Sequence, residues 1–254
     1  MRLSLVTTLW RHSHPWKTRA LRDEVEQCLK LITVDFGGGC SPSKALVMAE
    51  LIRVYQLNIT ADIGVYRGRS LLPQALAHRM CGGGLVYGID PWSAAEAHEE
   101  DLSTDVKARL DTFLATTDFD AMYRDVQALI SQLELQQHCV LVRETSANAA
   151  QFFQAENVEF DLIHIDGNHD TRKVRSDVSL YLPRLRTGGF LLLDDVSWGS
   201  IRPVYQETAT KLPLVFQRQD ASNDYAVFWK ETSLAKVQGL RCVLRFLGSR
   251  QNGA

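Results

Sequence analysis

The chain lacks any apolar run approaching the roughly 18 residues that a membrane-crossing helix needs. Met1 to Val6 is mostly apolar, but Arg11, His12 and His14 follow almost at once, too soon for a signal-peptide core. It also lacks a charge excess: 28 basic against 30 acidic residues leave a formal net charge of −2. No overall basic field is present to draw nucleic acid or an anionic lipid surface. Cysteine is scarce and scattered. The five (Cys28, Cys40, Cys81, Cys139, Cys242) are odd in number, with no CxxC pair and no Cys/His cluster of zinc-ligand spacing. A disulfide framework and a structural zinc are therefore excluded, and a soluble cytoplasmic protein with reduced thiols is expected. Internal repeats and low-complexity tracts are absent as well.

What is there is globular: 254 residues, 45% apolar and 23% charged, enough for one large domain with insertions. Residues 1–40 read as an N-terminal extension, with helical spacing over 18–32 and a Gly37-Gly38-Gly39 break. Ser41-Pro42 opens a helix over 42–55. Short apolar strands then alternate with helices: strands at 59–63, 85–90, 139–143, 160–166 and 190–195, helices at 70–80, 147–154, 170–183 and 201–211. A turn is expected at Thr187-Gly188-Gly189, and a hairpin of 214–217 with 225–230 ends the domain at about 232. The pattern predicts an α/β fold, a Rossmann-like doubly wound sheet of seven strands with an antiparallel terminal hairpin and helices on both faces. Residues 94–136 interrupt it with two helices, the second over 121–136; the stretch 94–120 is an insertion placed to cover a substrate. An amphipathic helix over 233–248 closes the chain, with apolar surface for a dimer contact or for packing on its own domain.

Ligands on such a sheet bind at the carboxyl ends of the strands. The first strand ends in Asp62-Ile63-Gly64-Val65-Tyr66-Arg67-Gly68-Arg69-Ser70. Gly64 permits a sharp turn, Gly68 a close approach, and the helix that follows offers free N–H groups together with the Ser70 hydroxyl. The spacing is GxxxG and not the GxGxxG of dinucleotide sites, which suits an amino-acid carboxylate better than a pyrophosphate. Asp90 ends the second strand, where an acid accepts hydrogen bonds from ribose hydroxyls.

Asp166 ends the fourth strand and Asp194-Asp195 the fifth. Neighbouring parallel strands would bring the three carboxylates to one edge, where they repel unless a cation joins them. An all-oxygen set favours Mg²⁺, Ca²⁺ or Mn²⁺ over zinc. His169 follows Asp166 by three residues, on a loop at the same edge. His164 sits between Ile163 and Ile165 and reads as a core residue, while His98-Glu99-Glu100-Asp101 reads as a solvated face.

The run Asp62 to Trp92 resembles the first motifs of class I S-adenosylmethionine-dependent methyltransferases. Phe160-Asp-Leu-Ile-His-Ile-Asp-Gly-Asn-His-Asp170 with Leu182 to Asp195 is similar to one subgroup, metal-dependent natural-product and sugar O-methyltransferases with relatives described as cephalosporin hydroxylases. The resemblance covers about residues 40–230. It implies S-adenosylmethionine held by Asp62, Gly64, Tyr66, Gly68, Ser70, Asp90, Ser146 and Asp166, with Tyr66 at the methionine portion and Ser146 at the adenine. It further implies a divalent cation, Mg²⁺ foremost, on Asp166, Asp194 and Asp195, an arrangement similar to that of catechol O-methyltransferase, and His169 as base. The acceptor would be a hydroxyl of a sugar, phenol or polyketide. Hydroxylase-type chemistry or a non-catalytic scaffold would be the alternatives. Trp92 and Trp198 are placed to wall the acceptor pocket, and His12 and His14, flanked by Trp10 and Trp16, to form a lid.

Overall fold

The computed structural model describes residues 15–36, 39–220, 223–231, 233, 236–238 and 240. Five strands run parallel: β1 (Ile59–Ile63), β2 (Leu85–Ile89), β3 (Cys139–Val142), β4 (Phe160–Ile165) and β5 (Leu185–Asp194). β6 (Leu214–Asp220) and β7 (Asn223–Trp229) add an antiparallel hairpin, and the sheet order is β3-β2-β1-β4-β5-β7-β6. This is the Rossmann-like fold expected from the alternation of elements. The strand order reverses between β1 and β4, which opens a crevice at their carboxyl ends.

The strands are apolar on both sides because both sides are covered. On one face α1 (Pro15–Leu31), α2 (Pro42–Tyr55) and α3 (Leu71–Cys81) bury Leu21, Met48, Ile52 and Leu72 against Leu162, Leu192 and Val227. The helical insertion supplies α4 (Thr104–Thr116); the crossover helix α5 (Phe119–Gln132) follows, and its Met122 and Val126 join that layer. On the other face α6 (Ser146–Ala155), α7 (Thr171–Tyr181) and α8 (Arg202–Lys211) bury Phe153, Val174, Val178 and Val204 against Ile63, Ile163 and Leu191. Consecutive residues Leu162/Ile163 and Leu191/Leu192 thus go to opposite layers, as the strand period of two requires.

Several boundaries differ from expectation. α1 starts at Pro15, and residues 94–103 form an irregular segment with no helix. β5 starts at Leu185, so Thr187-Gly188-Gly189 lies inside the strand. Gly188 N–H donates to Lys230 O at 2.7 Å and Lys230 N–H to Gly189 O at 2.8 Å, so β7 holds the glycines in the ladder and the expected turn becomes an irregularity in register. His12, His14, Trp10 and most of the 233–248 helix lie outside the described residues. Among the described residues no helix is long and apolar enough to cross a membrane, and Cys28, Cys40 and Cys139 are free thiols.

Register places the site. Ile63 is level with Ile89 and Ile165, and Ile165 with Leu193. The next residue on each strand is therefore Gly64, Asp90, Asp166 and Asp194, all at one edge.

Candidate active site

A cavity of about 1000 Å³ opens at that edge. Its walls are Gly64 to Tyr66, Asp90 to Ser93, Ser146, Asp166 to His169, Asp194, Asp195 and Trp198, with Leu110, Phe113, Phe119 and Met122 of α4 and α5 over it. An apolar chamber with a few convergent polar groups is the usual form of a small-molecule site.

The glycine loop is built against β4. Gly64 has φ +88, and a Cβ there would stand 2.0 Å from the Asp166 carbonyl oxygen. Gly64 N–H donates to Ile89 O at 3.0 Å and Asp166 N–H to Ile63 O at 2.9 Å, which ties the ends of the three strands together. Asp90 receives N–H bonds from Tyr66 at 2.9 Å and Trp92 at 2.7 Å, so its carboxylate is oriented by backbone on the cavity wall. Burial pushes the Asp90 carboxyl up, against the N–H groups that favour its anion. Trp92 donates its indole N–H to Tyr66 O at 3.0 Å, and the Tyr66 hydroxyl is held by Asp35, which also pairs with Arg67.

One expected cofactor contact, Asp62, faces away from the cavity, while Ser70 and Ser146 line it with their hydroxyls engaged by protein groups. Asp62 is fully buried, accepting from the Ser70 hydroxyl at 2.7 Å and bonding His164 Nδ1 at 2.5 Å. Its carboxylate thus braces the loop from beneath, and the Ser70 hydroxyl is engaged there too. The Ser146 hydroxyl donates to Asp177 at 2.5 Å, and burial raises the Asp177 carboxyl to about 6 despite that bond.

The three acids do not share one cage. Lys44, from the first turn of α2 and only 5% exposed, places Nζ 3.1 Å from Asp166 Oδ2 and bonds Asp194 Oδ2 as well. Burial opposes the ammonium, yet the surrounding anions, Asp166 foremost, hold its pKa well above the ordinary value. Burial would raise Asp166, but Lys44 and His164 bring it down to about 2. Burial and the charge of Asp166 push Asp194 well up, so Asp194 is the member of the pair that gains a proton first. Asp195 turns away with φ +50 and meets His169 Nε2 at 2.8 Å.

His169 stands between two carboxylates: Nδ1 is 2.7 Å from Glu99 Oε1 and Nε2 faces Asp195, with Asp166 Oδ1 at 4.0 Å. Its ring stacks on Trp198, centroids 4.9 Å apart. Burial disfavours the imidazolium, but the hydrogen bonds of Asp195 and Glu99 outweigh it and hold the pKa well above 6.5. The neutral base is therefore formed as pH rises through that raised value. Replacing Glu99 by Gln removes one raising partner, so the limb of a pH–rate profile that reports His169 moves to lower pH; an unmoved limb counts against the pairing.

Sequence reasoning missed Lys44 and Glu99. Glu99 lies in a run read as a solvated face, yet it is 8% exposed. The 96–101 segment is clamped onto the β4 loop: Asn168 donates to His98 O at 2.8 Å, Asp170 accepts from the N–H groups of Glu100 and Asp101 at 2.7 Å each, and Asp101 accepts from Thr171 N–H at 2.8 Å. The one available signal was the density of acids within reach of His169. Lys44 had a sharper cue, a lysine in the first turn of a capped helix, where a helix prefers acids.

A family model described as a methyltransferase domain matches residues 61–196, more than half of the chain, from within β1 to just past the end of β5. The chain belongs to the methyltransferase domain family. Solved structures agree on the fold. The O-methyltransferase from Bacillus cereus, determined in complex with SAH, superposes with a TM-score of 0.55 at 16% identity over 83% of this chain and 91% of its own. TomG from Streptomyces achromogenes, an O-methyltransferase involved in tomaymycin synthesis and determined with SAM, gives 0.58 at 12% identity over 84% and 90%. CalS11, a calicheamicin methyltransferase, gives 0.56 at 16% over 90% and 94%. No curated protein matches the sequence. In this methyltransferase the matched span ends just past Asp195, so every wall residue from Gly64 to Asp195 lies inside the family's own domain, while Lys44 comes from outside it.

Proposed function

We propose that this methyltransferase moves the methyl group of S-adenosylmethionine to a hydroxyl of a small-molecule acceptor, with His169 as the base. The observation that carries the reading is His169 itself: an imidazole on the wall of the same cavity as the glycine loop and Asp90, held at Nδ1 by Glu99 and at Nε2 by Asp195. Asp90 is positioned for the ribose hydroxyls, Tyr66 and Gly64 to Gly68 for the amino-acid end, and Ser146 for the adenine. When bound, S-adenosylmethionine supplies a sulfonium methyl already activated for displacement.

The protein's part is to place and deprotonate. Trp198 and the apolar residues of α4 and α5 exclude water and orient the acceptor, which converts an encounter into a positioned approach. His169 takes the hydroxyl proton at Nε2 as the acceptor hydroxyl displaces Asp195 from that nitrogen, and Glu99 at Nδ1 stabilises the imidazolium that results. A divalent cation on Asp166, Asp194 and Asp195 does not fit this arrangement. Lys44 already holds the first two acids and His169 the third, so no step is derived through a metal.

Replacing Asp90 by Ala removes a carboxyl acceptor and frees two backbone N–H groups. The dissociation constant for S-adenosylmethionine should rise roughly 10- to 100-fold by calorimetry, the scale of hydrogen bonds to a charged group. The reading is tested by incubating the protein with methyl-labelled S-adenosylmethionine and a panel of phenols, sugars and polyketide alcohols. Label is expected on a hydroxyl-bearing compound and not on its O-methyl ether; transfer to amines or thiols alone contradicts the reading.

A further inference from the structure

Lys44 stands outside the expectations drawn from the sequence and outside the matched family span. Its Nζ lies within hydrogen-bond reach of both Asp166 Oδ2 and Asp194 Oδ2, the two acids that end adjacent strands at the same level. It is fixed in that place from several directions. Ser41 caps α2 by accepting from Lys44 N–H at 3.1 Å, and the same hydroxyl donates to Asn223 Oδ1 at 2.5 Å, which ties the start of the helix to β7. Pro42 sets the first helical residue, and Lys44 follows two positions later in the first turn.

We propose that Lys44 is the protein's own cation at this edge, standing where related enzymes of the resembled subgroup place a divalent metal, so that Asp166 and Asp194 are held without one. A divalent ion bound by these two carboxylates would stand about 2.0–2.6 Å from their oxygens. That position is already taken by an ammonium in contact with both, and a second, doubly charged cation beside it meets repulsion in a desolvated setting. The third acid offers no substitute. Asp195 has turned to His169 in a left-handed backbone conformation that its N–H bond to Asp224 O, 2.6 Å, holds in place. Its donor trio with Asp166 and His169 includes the nitrogen assigned above to proton transfer.

Lys44 does not line the cavity, so it is a positioning residue. It fixes the Asp166 carboxylate, whose other oxygen lies 4.0 Å from His169 Nε2. A lysine gives one charge and three donors with no coordination geometry, which is enough to join two acids but does not present a Lewis acid to an acceptor oxygen. The inference concerns the edge that the proposed function also uses, and its readout is metal binding, so the two can fail separately.

The test is a Mn²⁺ titration of the full-length protein, stripped with EDTA and desalted, followed by the electron paramagnetic resonance signal of free Mn²⁺. The wild type is expected to leave the signal of the added ion undiminished, with or without S-adenosylmethionine. Lys44→Met, which keeps the volume and removes the charge, is expected to take up one Mn²⁺ per chain at least tenfold more tightly than the wild type, and Asp166→Asn in that background to abolish the uptake. Lys44→Arg keeps a cation and should behave as the wild type. One Mn²⁺ bound per wild-type chain and lost in Asp166→Asn overturns the proposal, as does a folded Lys44→Met that gains no ion. Should Lys44→Met not fold, the wild-type arm decides alone. A chain that binds neither Mn²⁺ nor S-adenosylmethionine supports Lys44 and contradicts the methyl-transfer reading.

Discussion

Replacing His169 by Asn lowers the rate of methyl transfer by about 10²- to 10⁴-fold, the usual contribution of a positioned general base, while S-adenosylmethionine affinity stays within a few-fold of the wild type. The split follows from where the ring sits. Its nitrogens face Glu99 and Asp195, and the nucleoside wall at Asp90 and Tyr66 belongs to other strand ends. Asparagine keeps a hydrogen-bonding amide between the two carboxylates, so the loss reports proton transfer more than collapse of the pair. The pH dependence gives the same residue a second signature. Because its partners hold the His169 pKa above 6.5, the neutral imidazole grows as pH rises, and kcat/KM of the wild type should climb through a limb above that value. In stability the sign is opposite: protonated His169 contributes fully below its unfolded-state pKa, and the contribution fades as pH rises through the folded value. The check is a pair of profiles, initial rate and thermal midpoint against pH. A rate limb unchanged in His169→Asn, or a loss confined to cofactor affinity, would remove the residue from the chemistry.

The second large effect is structural. Gly64→Ala puts a Cβ 2.0 Å from Asp166 O and 2.5 Å from its carbonyl carbon, at φ +88, where an L side chain is already strained. Both contacts are backbone, so no rotamer relieves them; the strand ends must separate. Strain of about 1–3 kcal/mol and overpacking of about 1–3 kcal/mol together suggest a loss of roughly 3–5 kcal/mol, a large share of the usual stability of a domain. At about 2–4 °C per kcal/mol the thermal midpoint should drop by on the order of 10 °C. Gly82 is the control, since its φ is +80 but nothing stands within 4 Å of its missing Cβ. Gly82→Ala should cost only the conformational part, about 1 kcal/mol. Equal losses at the two glycines would mean that the packing of Asp166 against the loop is not what makes Gly64 necessary.

Much of this was legible in the sequence. Strand ends are marked by short apolar runs closing on Gly or Asp, so Gly64, Asp90, Asp166 and Asp194 could be placed at one edge before any register was known. What sequence could not supply is the direction of each side chain. Asp62 lies inside β1, one residue before its end, and its side chain points into the buried layer, where it meets Ser70 and His164 instead of a ligand. Asp194 and Asp195 are consecutive, so they cannot face the same way; one reaches Lys44 and the other His169. Lys44 and Glu99 escaped because they come from segments outside the alternating pattern, brought in by a helix N-terminus and by a loop pinned through Asn168 and Asp170. Long-range pairing of charges across 122 positions, as between Lys44 and Asp166, leaves no local trace in a single chain.

The account rests first on the nucleoside site, and calorimetric titration of the stripped, full-length protein with S-adenosylmethionine tests it most directly. One molecule bound per chain, with affinity falling roughly 10- to 100-fold in Asp90→Ala, is the predicted result. A folded wild type that binds none, or that binds equally well without the Asp90 carboxylate, contradicts it.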